Sequence, residues 1–570
     1  MPLRIRPLDS CDGATLPSDI FPGTRPVSTV GANGTTSRYR TREVTVASDR
    51  PVLGTQSPSP DSALAVGSSV GTGAPTCDPS GRPTPPEQNP PRHPMTSKVV
   101  ASLLWQGSAS LVGQIISWFS TLLVMRLLSP DDYGLMAMAG ISTGFIMLIG
   151  DLGVSAVIVQ ALALNPPQLR ALFTVALLSY LLGAVVAFAS APLVAAFFGE
   201  PRLVSIVHAL SLSFVFASLY AVPQALVLRT LEFDRKAKID VLTTLVSSIS
   251  ALTLALSGLG AWSLVGAILA GQAFRAVAFQ VVRPCLFLPF LPFAALRGMV
   301  RFGGLVTLDR ILWFGYTNLD MTIAGRALGR PLVGVYSVAL SLASIPLNQV
   351  MSIATQVSFS AFSRSQTDPG AVRHGVLRAI ESVSLLAFPT FLGMAVVAPE
   401  AVAIFLGPKW TDAVVPFQIL CLTFPFRAIG VLFAPALFGT GRPRIVVENS
   451  AITLAAITVA LLVGVQWGIV GLCVGWLIGY VSVFCVTAYR ALSTLEILIG
   501  QAAAMIACPL AAALVMGVGL VGTRILVAEA LPPAAGLASL SLLGAAIYGA
   551  LMAAFRPQAL RSLRTVALGK

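Results

Sequence analysis

From Met95 onward, the chain is an almost unbroken series of apolar segments, each long enough to cross a lipid bilayer. A membrane helix needs about 20 apolar residues, and a chain in hydrocarbon must satisfy its backbone hydrogen bonds internally. The composition agrees with a bilayer environment, since 55% of the residues are hydrophobic and only 11% are charged. We therefore predict an all-α polytopic membrane protein.

The apolar segments predict about fourteen transmembrane helices, and the charges between them predict their orientation. With both termini on one side of the membrane, that side collects nineteen Lys and Arg residues and the opposite side collects six. By the positive-inside rule, both termini of this multi-pass protein are expected in the cytoplasm. The predicted spans are 102–125, 134–158, 171–198, 203–228, 241–257, 261–282, 303–325, 333–360, 376–405, 413–438, 446–465, 468–489, 500–521 and 535–555.

The first 94 residues have a different composition from the rest of the chain. Gly, Pro, Ser and Thr fill 47 of these 94 positions, and no apolar run among them is long enough for a core or a secretory signal. We predict a disordered extension over residues 1–94, or a start codon assigned too early. Neither interpretation gives the extension a function.

Several functional classes are excluded by what the apolar part contains. Its 28 Lys and Arg residues are spread through short loops and form no basic patch for nucleic acid. None of the seven cysteines forms a CxxC pair, and no GxxxxGK[ST] motif is present, so we expect no metal site, nucleotide site or other cofactor. The short external loops leave no room for a catalytic domain, so we predict a transporter and not an enzyme.

An internal repeat links the first and seventh predicted helices. RLLSPDDYGLMAMA begins at Arg126 and RALGRPLVGVYSVA begins at Arg326. Four positions coincide at an offset of 200, including the pair Gly134 and Gly334. Because six helices separate the two segments, we predict two parallel six-helix lobes followed by two further helices. The predicted boundaries are 95–300, 301–490 and 491–570.

The segments 126–160 and 318–339 resemble the signature regions of the Wzx-type polysaccharide flippases, which belong to the multidrug, oligosaccharidyl-lipid and polysaccharide exporter superfamily. The resemblance implies two lobes in a V shape and a secondary transporter that works by ion-coupled alternating access. Its implied substrate is an undecaprenyl-diphosphate-linked oligosaccharide for exopolysaccharide or O-antigen (lipopolysaccharide) synthesis. Implied partners are a polysaccharide polymerase and a chain-length regulator.

Two other functions stay open at this point. A multidrug exporter of the same superfamily would have a cavity rich in aromatic residues and poor in arginine. A membrane oligosaccharide ligase or polymerase would act on the same lipid carriers, but such enzymes tend to have a large external loop, which is absent from this sequence.

Charged residues within the predicted spans are the candidate functional residues, because each costs roughly 2.5 to 3.5 kcal/mol at the membrane centre on insertion scales. Arginine can bind phosphate with two parallel hydrogen bonds while keeping its charge. We therefore predict that Arg310 binds the substrate diphosphate first of all, with Arg275 and Arg427 next. Asn318, on the same helix as Arg310, adds a hydrogen-bonding group.

The carboxylates within the spans are candidates for ion coupling or gating. Asp309 and Asp320 lie three helical turns apart, which places them on nearly one face of the seventh helix. Asp151 precedes Leu-Gly in the second helix and matches the family pattern there, as a hinge or as an ion site. Alternatively, Asp309 or Asp320 pairs with Arg310 or Arg427 and simply locks helices together.

Overall fold

A computed structural model describes residues 113–151, 153–161, 164–285, 287, 311, 314–363, 369–527 and 532–556. All of them belong to the larger of two compact units of the chain, Arg92–Lys570. The predicted extension over residues 1–94 lies outside the described residues. Asp309 and Arg310 lie outside them as well.

The described residues form helices and connecting turns, and no strand occurs among them. We number the helices α1 to α17. Two 3₁₀ turns, Pro408–Ala413 and Val465–Trp467, join neighbouring helices. The α-helices are α1 (113–127), α2 (Pro130–Gly150), α3 (Val154–Gln160), α4 (Pro166–Phe198), α5 (Leu203–Arg229), α6 (Phe233–Leu256), α7 (Ala261–Val282), α8 (described over 314–328), α9 (Arg330–Ser363), α10 (Pro369–Val396), α11 (Ala398–Phe405), α12 (Val414–Gly430), α13 (Phe433–Gly439), α14 (Pro443–Gly464), α15 (Gly468–Thr494), α16 (Ile499–Val527) and α17 (Pro533–Phe555).

The described part of the chain confirms the predicted fold class. Eleven segments are long and apolar enough to cross a membrane, and one of them, Arg444–Thr494, includes both α14 and α15. The first and seventh predicted helices correspond to α1 and α8, of which only part is described. The count of fourteen spans therefore stays a prediction.

Three predicted spans are each divided into two helices. The second span breaks between α2 and α3, where Gly153 has a φ of 67°. The ninth breaks between α10 and α11, and Pro399 lies in the first turn of α11. The tenth breaks between α12 and α13, and Pro435, the third residue of α13, has no N–H to donate to the carbonyl of Val431 as a continuous helix would require.

Two helix ends, those of α5 and α13, have the same geometry. We call α1–α7 the first lobe and α8–α15 the second lobe. The N–H groups of Thr230 and Thr440 donate to the carbonyls of Leu226 and Ala436, at 3.0 and 3.1 Å. The next residues, Leu231 and Gly441, have φ values of 56° and 72°. The fourth and tenth predicted spans therefore end in the same way, at an offset of 210.

The two lobes meet at the face that the charge distribution predicts to be external. There α2 crosses α9, and Gly134 and Gly334 lie at the crossing. The Arg330 guanidinium pairs with Asp131 at 2.9 Å and with Glu200 at 3.4 Å. The buried Trp410 indole donates to the carbonyl of Met125 at 2.8 Å. These contacts join the lobes at one end of the bundle.

The last two helices pack against the second lobe. Arg524 of α16 pairs with Glu400 at 2.7 Å, and Arg556, after α17, pairs with Glu381 at 2.9 Å. The Tyr548 hydroxyl also donates to the carbonyl of Leu385 at 3.0 Å. Because Glu381 and Glu400 lie on α10 and α11, these contacts fix the helix pair along one side of that lobe.

Candidate functional site: charged residues within the membrane spans

Arg275, on α7 of the first lobe, is engaged by a carboxylate. Its guanidinium donates to Asp240 of α6 at 2.5 Å, and its Cζ lies 5.6 Å from the ring centroid of Tyr220. The other carboxylate oxygen of Asp240 binds the Lys236 ammonium at 2.5 Å. In this conformation Arg275 is therefore paired within its own lobe, with a carboxylate that it shares with Lys236.

Arg427, on α12 of the second lobe, lies in different surroundings. Its Cζ lies 5.0 Å from the ring centroid of Trp476 and 5.1 Å from that of Phe424. Among the described residues, no carboxylate lies within 4.0 Å of this guanidinium, and the side chain is only partly buried. A cation over aromatic faces keeps its in-plane N–H donors available for another acceptor.

Asp320, on α8, is almost fully buried, with 1% of its surface exposed. One carboxylate oxygen accepts hydrogen bonds from the Tyr336 hydroxyl at 2.6 Å and from the Trp476 indole N–H at 3.1 Å. The other accepts the backbone N–H of Met321 at 2.7 Å. A buried carboxylate is stable only when it is compensated in this way.

Asp320 and Arg427 are therefore linked through an aromatic ring. Both contact Trp476, one at its indole nitrogen and the other at its face, although no ion pair within 4.0 Å joins them. The predicted alternative of a direct Asp320–Arg427 ion pair is thus not seen among the described residues. Pairing with Asp309 or Arg310 lies outside them.

Asn318 lies on α8 but lines a separate, mostly apolar cavity of about 440 Å³ between α2, α4 and α8. Its side-chain amide donates to the carbonyl of Phe314 at 3.0 Å. The cavity wall includes Phe145 and Phe198 of the first lobe, and no arginine is among its described residues. The structure does not bring Asn318 together with Arg275.

Asp151 lies where the second predicted span breaks. It caps the C-terminal end of α2, is 7% exposed, and accepts the Ser155 hydroxyl at 2.7 Å and the Tyr180 hydroxyl at 3.5 Å. The left-handed Gly153 follows directly after the break. This geometry fits a hinge, while an ion-binding role for Asp151 stays a prediction.

At the predicted cytoplasmic end of the first lobe, Glu232 lies between α5 and α6. It accepts hydrogen bonds from Arg283, from Arg235 at 2.6 Å and from Thr230 at 3.0 Å. Burial acts to raise the pKa of Glu232, but the hydrogen bonds from Arg283 and Thr230 and the charges of Arg283 and Arg235 outweigh burial and lower the pKa. The cluster fastens the ends of three helices.

Sequence reasoning missed the aromatic partners of Asp320 and Arg427. Trp476 and Tyr336 are buried, with 1% and 0% of their surfaces exposed; Tyr336 lies on the next helix, α9, and Trp476 lies 156 residues after Asp320, on α15. A signal was present, because both carry a polar atom in an apolar span and such an atom needs a buried partner. The sequence could not identify that partner.

Comparison with known proteins places the chain among polysaccharide biosynthesis proteins. A family model described as "Polysaccharide biosynthesis protein" matches residues 123–415. The lipopolysaccharide biosynthesis protein WzxC of Escherichia coli (strain K12) is 24% identical over 387 residues, which cover 67% of this chain and 79% of that protein. The succinoglycan biosynthesis transport protein ExoT of Rhizobium meliloti (strain 1021) is 26% identical over 344 residues, 60% of this chain and 69% of that protein.

Solved structures share the fold. The lipid II flippase MurJ in an inward closed conformation superposes with a TM-score of 0.66 at 12% identity, covering 80% of this chain and 100% of that one. An inward-facing multidrug resistance MATE family transporter of the MOP superfamily gives a TM-score of 0.52 at 14% identity, covering 67% of this chain and 95% of that one. The resemblance noted in residues 126–160 and 318–339 is confirmed.

Proposed function

The chain belongs to the polysaccharide biosynthesis protein family, and from that premise we propose that it flips an undecaprenyl-diphosphate-linked oligosaccharide across the cytoplasmic membrane. It is a membrane transporter and not an enzyme. The names of its relatives support this substrate class, since WzxC acts in lipopolysaccharide biosynthesis and ExoT is a succinoglycan biosynthesis transport protein. A lipid II flippase shares the fold.

The observation that best supports this proposal is the environment of the Arg427 guanidinium. The diphosphate of the substrate is the group that most resists entry into a low-dielectric membrane interior, so it needs a cation there. Arg427 presents its guanidinium over the Trp476 and Phe424 rings without a carboxylate within 4.0 Å among the described residues. Arg275, in contrast, is paired with Asp240. Arg310, which lies outside the described residues, stays a predicted phosphate ligand.

Transport by alternating access is driven, in this proposal, by an ion gradient. We assign coupling or gating to the carboxylates of Asp151, Asp309 and Asp320, with Asp151 supported by its position at the break between α2 and α3. Both termini lie in the cytoplasm by the distribution of Lys and Arg. A polysaccharide polymerase and a chain-length regulator are the partner proteins expected to receive the flipped product.

A bacterial strain that lacks its own flippase tests the proposal. The chain should restore surface polysaccharide, and Arg427→Ala should instead leave lipid-linked oligosaccharide on the cytoplasmic leaflet at normal membrane abundance. Arg444→Ala is the matched control, because the Arg444 side chain is 90% exposed and pairs only with Glu448 among the described residues. Restoration by Arg427→Ala would overturn the role of Arg427, and drug efflux without polysaccharide would favour a multidrug exporter.

A further inference from the structure

A buried hydrogen-bond network joins three helices of the second lobe beneath Arg427. Asp320 of α8 accepts from the Tyr336 hydroxyl of α9 at 2.6 Å and from the Trp476 indole of α15 at 3.1 Å. All three side chains are 1% exposed or less. This network touches no bulk solvent, and the function proposed so far assigns no role to Trp476 or Tyr336.

The hydrogen bond to Asp320 fixes how the indole ring is turned. The N–H of an indole lies in the ring plane, so an acceptor at that atom sets the rotation of the ring and leaves its faces for other contacts. One face of Trp476 carries the Arg427 guanidinium, with Cζ 5.0 Å from the ring centroid. The orientation of the ring therefore determines where the guanidinium lies.

The same hydrogen bonds keep the Asp320 carboxylate from pairing with Arg427. A carboxylate that accepts from Tyr336, Trp476 and the Met321 backbone is already compensated by donors. Asp320 still attracts Arg427 electrostatically, but the two are not within ion-pair distance. Among the described residues nothing else accepts from the planar fork of Arg427, so an external anion can bind it with two parallel hydrogen bonds.

We infer that Asp320, Tyr336 and Trp476 are positioning residues, which hold the Arg427 guanidinium open for a prenyl diphosphate. This inference rests on the proposed function. It assigns Arg427 to the diphosphate group of the substrate, and not to the sugar or the isoprenoid tail. In diphosphate binding Asp320 acts through Trp476, and neither side chain contacts the ligand; this positioning role is additional to the coupling or gating role proposed for Asp320 above.

Trp476→Phe tests the inference, because phenylalanine keeps an aromatic face but lacks the indole N–H that donates to Asp320. Phenylalanine is also smaller than the buried tryptophan, so membrane abundance and melting in detergent are measured beside binding. Trp467→Phe is the matched control, since Trp467 is 70% exposed in the turn before α15. The probe is farnesyl diphosphate, a soluble prenyl diphosphate, added to the purified full-length protein in detergent. Farnesol, which has the same tail without the diphosphate, is the comparison ligand.

The expected result is a selective loss. Trp476→Phe should weaken the binding of farnesyl diphosphate about tenfold, as expected when a desolvated cation is no longer held in place. Farnesol binding should be unchanged, and Trp467→Phe should bind both ligands as the unmodified protein does. An equal loss for both ligands would mean that Trp476 is only structural, and it would overturn the inference.

Trp476 also provides a spectroscopic signature. Farnesyl diphosphate should change the tryptophan fluorescence of the unmodified protein and of Trp467→Phe, because the anion neutralises the cation on the Trp476 face. The change should be absent from Trp476→Phe and from Arg427→Ala. A change of the same size in Trp476→Phe would contradict the inference. If Trp476→Phe does not reach the membrane, Tyr336→Phe carries the test, because it deletes one hydroxyl bonded to Asp320.

The two proposals fail in different ways. If Arg427→Ala binds farnesyl diphosphate as tightly as the unmodified protein, the role of Arg427 in the proposed function is wrong and the positioning role falls with it. If Arg427→Ala loses binding while Trp476→Phe and Tyr336→Phe both keep it, Arg427 binds the diphosphate and only the positioning role is overturned.

Discussion

Gly134 and Gly334 pack against each other's helices with the same geometry, at equivalent positions of the two repeats. A Cβ atom on Gly134 would lie 1.9 Å from the carbonyl oxygen of Arg330, and a Cβ atom on Gly334 would lie 1.8 Å from that of Pro130. The two carbonyls are themselves related by the offset of 200. The crossing of α2 and α9 is therefore so close that a side chain at either glycine would collide with the backbone of the other helix.

Substituting Gly134 by alanine should separate α2 from α9 and destabilise the protein. Overpacking of this kind costs about 1 to 3 kcal/mol. Thermal melting in detergent measures the effect. Gly140→Ala is the control on the same helix, because a Cβ there would meet nothing within 4 Å, and it should melt at or above the temperature of the unmodified protein. Equal melting of Gly134→Ala and Gly140→Ala would show that the close crossing is absent in the protein.

Substituting Arg330 by alanine should loosen the lobes at the predicted external face. The change removes the ion pairs to Asp131 and Glu200, which join α9 to the first lobe. Spin labels at positions 201 and 411, one exposed site in each lobe, measure the distance between the lobes. The distribution of distances between the two spin labels should broaden toward longer distances in Arg330→Ala. In the control Arg326→Ala it should stay as in the unmodified protein, because Arg326 has no ion pair among the described residues. Identical distributions in all three proteins would contradict this role.

Glu232 should stabilise the fold in a way that depends on pH. Its pKa is below the ordinary 4.5 in the folded protein, so its contribution is present above that value and is lost as the pH falls through the lower, folded pKa. Glu232→Gln should therefore melt below the unmodified protein at pH 7, and the difference should shrink as the pH falls below about 4.5. Asp234→Asn, on the same helix, is the control. A difference that does not depend on pH would contradict the assignment.

Asp240 and Arg275 should behave as a structural pair. Asp240→Asn leaves the Arg275 guanidinium without its carboxylate, and breaking a buried pair in this way costs about 3 to 5 kcal/mol, an upper limit here because both side chains are about 30% exposed. The double variant Asp240→Asn with Arg275→Gln should recover membrane abundance. If it also recovers flipping, Arg275 is not a substrate ligand. If abundance returns without flipping, the predicted substrate role of Arg275 is supported.

The topology is testable by reporter fusions. Fusions after residues 166, 290, 370 and 570 should read as cytoplasmic, and fusions near 130, 258 and 410 should read as external, as the excess of positive charge on one side predicts. An external reading at 290 or 370 would contradict the count of fourteen spans. That count includes α1 and α8, of which only part is described.

Hydropathy alone was sufficient to predict the fold class, because a chain in lipid has few ways to satisfy its backbone. The pair Gly134 and Gly334 was identified by its offset of 200, but the close helix crossing at which the two glycines lie was not predicted. The helix breaks were not predictable. Pro223 and Pro389 lie inside continuous helices, whereas Pro435 begins a new one, and the packing around each proline decides between these outcomes.

The site was less predictable than the fold. The sequence identified Arg275 and Arg427 equally as arginines in apolar spans. It could not show that Asp240 reaches Arg275 from a neighbouring helix, or that Trp476 separates Asp320 from Arg427. These contacts depend on which faces of the helices pack against each other. The offset of 200 in the sequence does not specify how the helices pack.

The most direct test of the account is transport by the purified protein in proteoliposomes. A fluorescent undecaprenyl-diphosphate-linked oligosaccharide is placed in one leaflet, and an impermeant quencher reports its arrival in the other. The account predicts that the unmodified protein moves the lipid faster than protein-free liposomes do, and that Arg427→Ala, reconstituted at equal density, does not. Movement at the protein-free rate by the unmodified protein, or at the full rate by Arg427→Ala, would contradict it.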